Sequence, residues 1–172
     1  MKVVFLDFDG VICTDKVFMS RGKSDPHGPM DLLDEYAVTL ISKFCQHHGW
    51  GIVVSSTWRT VFTLDELREK LYSAGMDRSV NIVGVIGRKF GGEPRAQLIV
   101  DWMDAHVLED WIVVDDIVFE GFNRKPFRKR FLHVKNKYDG FGYLEAKWMH
   151  EYAANRTDEP FSAKNTFKEI YR

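Results

Sequence analysis

Apolar residues fall in short runs bounded by polar residues or glycine: Val3 to Leu6, Ile52 to Val54, Ile82 to Ile86, Ile112 to Val114 and Phe131 to Val134. Runs of this kind predict strands of a parallel sheet, buried on both faces. Between the first two, Leu33, Tyr36, Ala37, Leu40, Ile41 and Phe44 recur at helical spacing, and Pro29 stands where it would open a helix over 30–47. Thr63 and Glu66 form a capping box around Leu64, Leu67 and Leu71, with Gly75 as the stop. A further helix is predicted over Arg95 to His106, with Leu98, Ile99, Trp102 and Met103 on one side. Strands alternating with helices imply an α/β fold, a parallel sheet covered on both faces in three α/β/α layers. After Phe141 the pattern weakens, although Leu144, Trp148 and Tyr152 keep a helical spacing, and 155–164 is polar enough for a loose connection. The expected division is a core over 1–140 and a helical extension over 141–172, packed on the core or partly loose.

Composition narrows the picture. A length of 172 residues supports one domain, and 45% apolar with 28% charged residues excludes a disordered or collagenous chain. The formal net charge of -1 removes any global basic excess, so a basic patch has to be local. Cys13 and Cys45 are too few for a disulfide scaffold and lack metal-site spacing, so both read as buried thiols in a reducing compartment. The first apolar run meets Asp7 and Asp9 too soon for a signal peptide or a membrane span, and no later stretch is long enough. A soluble, cytoplasmic protein that does not enter a membrane is expected.

Three apolar runs end in chemically pointed residues. Leu6 precedes Asp7-Phe8-Asp9-Gly10, Val54 precedes Ser55-Ser56-Thr57-Trp58-Arg59, and Val114 precedes Asp115-Asp116. In an open parallel sheet, ligands bind outside the carboxyl ends of the strands. Asp7, Asp9, Asp115 and Asp116 would therefore crowd one edge and repel each other unless a cation joins them. An all-oxygen ligand set suits Mg²⁺. Asp7 and Asp9, one residue apart, would share a side, and Gly10 permits a sharp turn; such a pair suits one carboxylate that attacks and one that moves protons. Arg88 and Lys89, in the glycine-flanked loop Gly87-Arg88-Lys89-Phe90-Gly91-Gly92, compete with Arg95 for the role of site cation, and Arg95 is favoured because a helix start adds backbone amides. Arg59 reads either as a surface residue or as a substrate contact.

The segment Asp7-Phe8-Asp9-Gly10-Val11 resembles the nucleophile loop of the haloacid dehalogenase (HAD)-like phosphohydrolases, with Val11 where many members carry Thr. Ile52-Val53-Val54-Ser55, Arg95 and Val113-Val114-Asp115-Asp116 are similar to that family's remaining motifs, in order, over roughly residues 1 to 140. The resemblance implies a Rossmann-like HAD core and a Mg²⁺-dependent phosphomonoester hydrolase. Asp7 would be the nucleophile that forms an aspartyl-phosphate, Asp9 the general acid and base, and Ser55 and Arg95 the groups that hold the phosphoryl oxygens. Asp7, the backbone carbonyl of Asp9 and Asp115 would hold the metal, with Asp116 either bound to it through water or holding the ligands from behind. The run Val54 to Arg59, with Arg95 and Trp102, resembles the small phosphatase-like domains associated with RNA-repair proteins, which brings Ser56 and Arg59 toward substrate. His27-Gly28-Pro29-Met30-Asp31-Leu32 resembles a segment of phage polynucleotide kinase phosphatase domains, in which the position of His27 is an arginine that contacts substrate.

The intervals from Gly10 to Ser55 and from Ser55 to Arg95 leave no room for a folded cap beyond a helix and loop, so a minimal or absent cap and an open site are expected. Arg124, Lys125, Arg128, Lys129, Arg130, Lys135 and Lys137 form an acid-free run with Phe127 and Phe131 interleaved, which reads either as a solvated face or as a track for a phosphate-rich polymer. The leading expectation is a phosphatase acting on DNA or RNA ends. A nucleotidase acting on small nucleotides and a HAD-fold binding module without activity stand beside it.

Overall fold

The computed structural model describes residues 1–21, 32–87 and 94–155. β1 (Lys2–Leu6) is the middle strand of a five-stranded sheet, flanked by β2 (Trp50–Val54) and β4 (Asp110–Asp115), with β3 (Ile82–Val85) and β5 (Phe131–His133) at the edges. All four pairings are parallel. The register aligns three strand ends. Leu6 pairs with Val54 on one side and Val114 on the other, so the next residues, Asp7, Ser55 and Asp115, stand level at the carboxyl ends of the three strands.

Alternate side chains of the strands feed two cores. Val4, Leu6, Ile52, Val54, Ile112 and Val114 pack beneath α2 (Glu35–His48), α3 (Leu64–Ser73) and α5 (Tyr143–Asn155). Val3, Phe5, Val53 and Val113 pack against Ala96, Leu98 and Ile99 of α4 (Arg95–Asp104) and against Phe122 and Phe127. Phe5 is fully buried between the edges of Trp102 and Trp111, with ring centroids at 5.5 and 6.3 Å; burial of such a side chain contributes about 1.5–3 kcal/mol. The three-layer α/β/α arrangement expected from the apolar runs is the one observed.

The helices depart from expectation at their ends. Residues 32–34 are not helical, and α2 starts at Glu35 because Asp34 Oδ1 accepts from the amides of Tyr36 (2.9 Å) and Ala37 (3.2 Å). Pro29, expected to open this helix, lies outside the described residues. The capping box of α3 is present: the Glu66 amide donates to Thr63 Oγ1 and the Thr63 amide to Glu66 Oε2. α4 stops at Asp104, two residues short of the predicted His106. α1 (Asp15–Arg21), seven residues long, was not expected. The weak spacing after Phe141 becomes α5, which buries Ala146, Trp148 and Met149 in the first core. Burial pushes the thiols of Cys45 and Cys13 up to about 12, with Asp9 and Asp15 adding to the effect at Cys13. Among the described residues, no helix is long and apolar enough to cross a membrane.

α2 and α5 are joined by His48 Nε2 and His150 Nδ1, 2.9 Å apart, with His47 stacked edge-on against His48. Burial lowers both pKa values below the usual 6.5, and the neighbouring charges, His150, His47 and Lys2 for His48 and His47 for His150, lower them further. The unfolded chain thus takes up these protons at higher pH than the folded one, and stability present above about pH 6.5 is lost as pH falls through that value. We predict that the thermal midpoint drops between pH 7.5 and 5.5, and that His150→Gln flattens the drop. An unchanged slope in the variant would remove the pair from the pH response.

Candidate active site

The level register of β1, β2 and β4 brings Asp7, Ser55 and Asp115 side by side, and the start of α4 lays Arg95 across them. Arg95 Nη1 donates to Asp7 Oδ2 at 2.6 Å and to Asp115 Oδ2 at 2.5 Å, and its guanidinium lies 4.4 Å from the centroid of the Phe119 ring. The remaining oxygens are also occupied, Asp7 Oδ1 by the Phe8 amide and Asp115 Oδ1 by the Ile117 amide, each at 2.9 Å. Asp7 is 2% exposed and Asp115 fully buried.

Burial dominates the electrostatics here. It raises the pKa of Asp7, against the pull of Arg95. Asp115 is pushed up to about 7, first by burial and then by the negative charge of Asp7. Burial also works against the charge of Arg95, yet Asp7 and Asp115 together hold it above the usual arginine value. Two carboxylates and one guanidinium thus form a desolvated triad in which each charge depends on the others.

Asp116, 7% exposed, completes the acidic edge. Its Oδ2 carries the Lys137 ammonium at 2.9 Å, and its carbonyl oxygen lies 3.0 Å from His133 Nε2. Asp7, Asp115 and Asp116 each offer an oxygen, all within 4.8 Å of one another and all buried. Such an all-oxygen set fits a hard divalent cation such as Mg²⁺. Gly10 allows the close approach: φ is +70°, and a Cβ there would collide with the Asp116 carboxylate.

Asp9 stands apart. It is exposed, with Oδ1 accepting from the Trp58 indole N–H at 3.0 Å and Oδ2 3.5 Å from Thr57 Oγ1. Its side chain is therefore not in the buried carboxylate cluster. Ser55 Oγ is fully buried and finds no hydrogen-bond partner among the described residues. Ser56, also buried, uses Oγ to accept from the Trp58 amide at 3.3 Å and caps the short 3-10 turn Thr57–Thr60. Arg59 is 5% exposed: Nε donates to Gly87 O (2.7 Å) and Nη1 to Ser55 O (3.0 Å) and Ser56 O (2.8 Å), so it ties the end of β2 to the end of β3 instead of standing at the surface. Burial and then the charge of Arg95 hold its guanidinium below the usual arginine value. His27, Arg88 and Lys89 lie outside the described residues.

A cleft of about 390 Å³ opens over this edge, lined among others by Asp7, Asp9, Thr57, Arg95, Asp116 and Lys137. Thr57 and Trp58 belong to the segment that resembles the RNA-repair domains and Lys137 to the basic run, but the sequence assigns none of them, nor Phe119, a place at this edge. Trp58 had one usable signal, a buried indole N–H beside a strand end that has to find an acceptor. The basic run is divided in space. Arg130 turns to the amino-terminal end of β4, where it pairs with Asp110 and donates to Trp111 O at 3.2 Å, while Lys137 stands at the carboxyl end.

Over residues 3–141 the chain matches the family model described as HAD domain in Swiss Army Knife RNA repair proteins. No curated protein and no solved structure matches.

Removal of the central cation should expose the crowding directly. In EDTA, Arg95→Met is expected to lower unfolding free energy by about 3–5 kcal/mol, the usual result of leaving buried charge unpaired. Adding Asp115→Asn should restore a large part of it. Equal stabilities for the single and double variants would mean that charge does not govern this triad.

Proposed function

The chain belongs to the family of HAD domains in Swiss Army Knife RNA repair proteins, and from that premise we propose that it is a phosphomonoester hydrolase acting through an aspartyl-phosphate on Asp7, with phosphorylated nucleic-acid ends as substrates. The observation that carries this reading is the triad: a buried carboxylate at the end of the central strand, gripped by an arginine that also holds Asp115.

Asp7 attacks phosphorus as the bond to the leaving oxygen breaks, and Asp9 gives that oxygen a proton. Asp9 then takes a proton from water as the water attacks phosphorus, which releases phosphate and restores Asp7. Arg95 supplies charge and donors to the phosphoryl oxygens. Ser55 Oγ, buried without a partner among the described residues, gains one in a phosphoryl oxygen; leaving such a group unsatisfied costs about 1–3 kcal/mol. Asp7, Asp115, Asp116 and the backbone carbonyl of Asp9 would hold Mg²⁺, which when bound offsets the crowded negative charge and polarises the phosphoryl group. Lys137, 58% exposed at the cleft, adds positive charge where a substrate phosphate enters.

Among the described residues, the chain between β1 and α2 adds only α1 as a helix or strand, and that between β2 and β3 only a 3-10 turn and α3. A cleft with so few elements around it among the described residues is consistent with a bulky phosphorylated end. The division of the basic run favours a second reading, a nucleotidase that grips only a short nucleotide.

We expect Asp7→Asn to fold and lose turnover, because an amide does not supply the attacking oxygen, and EDTA to abolish activity that Mg²⁺ restores. Hydrolysis by folded Asp7→Asn, or full activity in EDTA, would refute the reaction. A screen of oligonucleotides with 3′ or 5′ phosphates against mononucleotides separates the substrates: a polymer substrate gives a KM that rises steeply with salt. Equal kcat/KM for mononucleotides, without that salt dependence, would establish the nucleotidase.

A further inference from the structure

We infer that Trp58 is a positioning residue for Asp9: its indole N–H holds Oδ1 as the unprotonated oxygen and leaves Oδ2 to carry the proton that goes to the leaving group. The inference rests on the hydrolase reading and specifies which oxygen of Asp9 acts.

The indole and the carboxyl are held very differently. Trp58 is 2% exposed, and its ring is fixed by Phe8, edge-on at 5.2 Å between centroids, and by Phe62 at 5.8 Å. Its backbone is held by the Ser56 cap on the 3-10 turn. The indole direction is therefore set by the core and not by Asp9. Asp9, by contrast, is exposed, and water with the long 3.5 Å contact from Thr57 Oγ1 to Oδ2 would leave its carboxyl free to rotate. The 3.0 Å bond from Trp58 Nε1 to Oδ1 removes that freedom.

The donor dictates the chemistry. An indole nitrogen donates one hydrogen bond and accepts none. Oδ1 therefore keeps a lone pair toward Trp58 in every protonation state, and because the carbonyl oxygen of a protonated carboxyl accepts better than its hydroxyl oxygen, a proton on Asp9 goes to Oδ2. A hydroxyl, histidine or carboxamide in place of Trp58 could accept as well as donate and would not impose this choice. In the first step, the Oδ2–H bond breaks as the leaving oxygen gains the proton and separates from phosphorus. In the second, Oδ2 regains a proton from the attacking water.

The test compares leaving groups. Trp58→Phe keeps an aromatic ring against Phe8 and Phe62 but removes the donor; replacement by benzothienylalanine, with sulfur in place of N–H, keeps the bicyclic shape should the phenylalanine variant fold poorly. For an alkyl phosphate, whose poor leaving group needs the proton, kcat/KM, which reports the steps up to the aspartyl-phosphate, should fall about 10- to 100-fold, a fraction of the general-acid contribution. For an aryl phosphate with an acidic phenol, kcat/KM should change less than about threefold, because that leaving group departs without help. In the Asp9→Ala background the substitution should have no further effect on alkyl phosphate. Independently of turnover, Asp9→Ala should shift the Trp58 indole N–H resonance and speed its exchange with solvent. Equal losses on both substrates, no loss on either, or an indole resonance indifferent to Asp9 would overturn the inference while leaving the hydrolase reading intact. A parent enzyme that turns over no aryl phosphate and no alkyl phosphate, phosphate-ended oligonucleotides and mononucleotides included, overturns both.

Discussion

The guanidinium of Arg95, held between the buried carboxylates of Asp7 and Asp115, is the contact on which the site depends. Two like charges taken out of water a few ångströms apart repel strongly. Without a cation between them, one would have to take up a proton or move. The sheet supplies the crowding, because β1 sits between β2 and β4 with Leu6 level with both Val54 and Val114. The helix supplies the relief, because α4 begins with its arginine at that edge. A fold that buries β1 centrally and ends it in aspartate therefore has to provide positive charge at the same point.

Around that contact, the groups that face the cleft are held in place by their neighbours. Arg59 spends its guanidinium on three carbonyls, of Ser55, Ser56 and Gly87, and joins two strand ends. Gly10 turns with positive φ so that Asp116 can come close, and Trp58 projects from the core to reach Asp9. Rigid supports of this kind let a small cleft hold charged groups at fixed separations, which is what the proposed phosphoryl transfer requires.

The parts of this arrangement that depend on local patterning were readable in the chain. Val3 to Leu6 and Ile112 to Val114 announce buried strands because both faces of a covered parallel sheet exclude water. The aspartates after them, and Arg95 before an apolar helical stripe, stand where such strands and helices end. The parts that depend on tertiary packing were not readable. α1 is too short to show a period, and the start of α2 was set by the Asp34 cap instead of the proline upstream. Arg59 looks like a surface residue until the carbonyls it binds converge on it. Arg130 and Lys137 belong to one basic run in sequence, yet one serves Asp110 at the amino-terminal end of β4 and the other Asp116 at the carboxyl end. Trp58 stands 49 residues from Asp9 in the chain, and no spacing rule links them.

Covalent phosphorylation of Asp7 is the step on which the proposed reaction turns. It is tested by mass spectrometry of the protein quenched in acid within the first turnover, after mixing with Mg²⁺ and a phosphomonoester. The expected result is the mass of one phosphoryl group on the peptide that contains Asp7, labile to mild base and absent without substrate. Release of phosphate from a protein that carries no such adduct at any point of the first turnover, or an adduct on another residue, would contradict it.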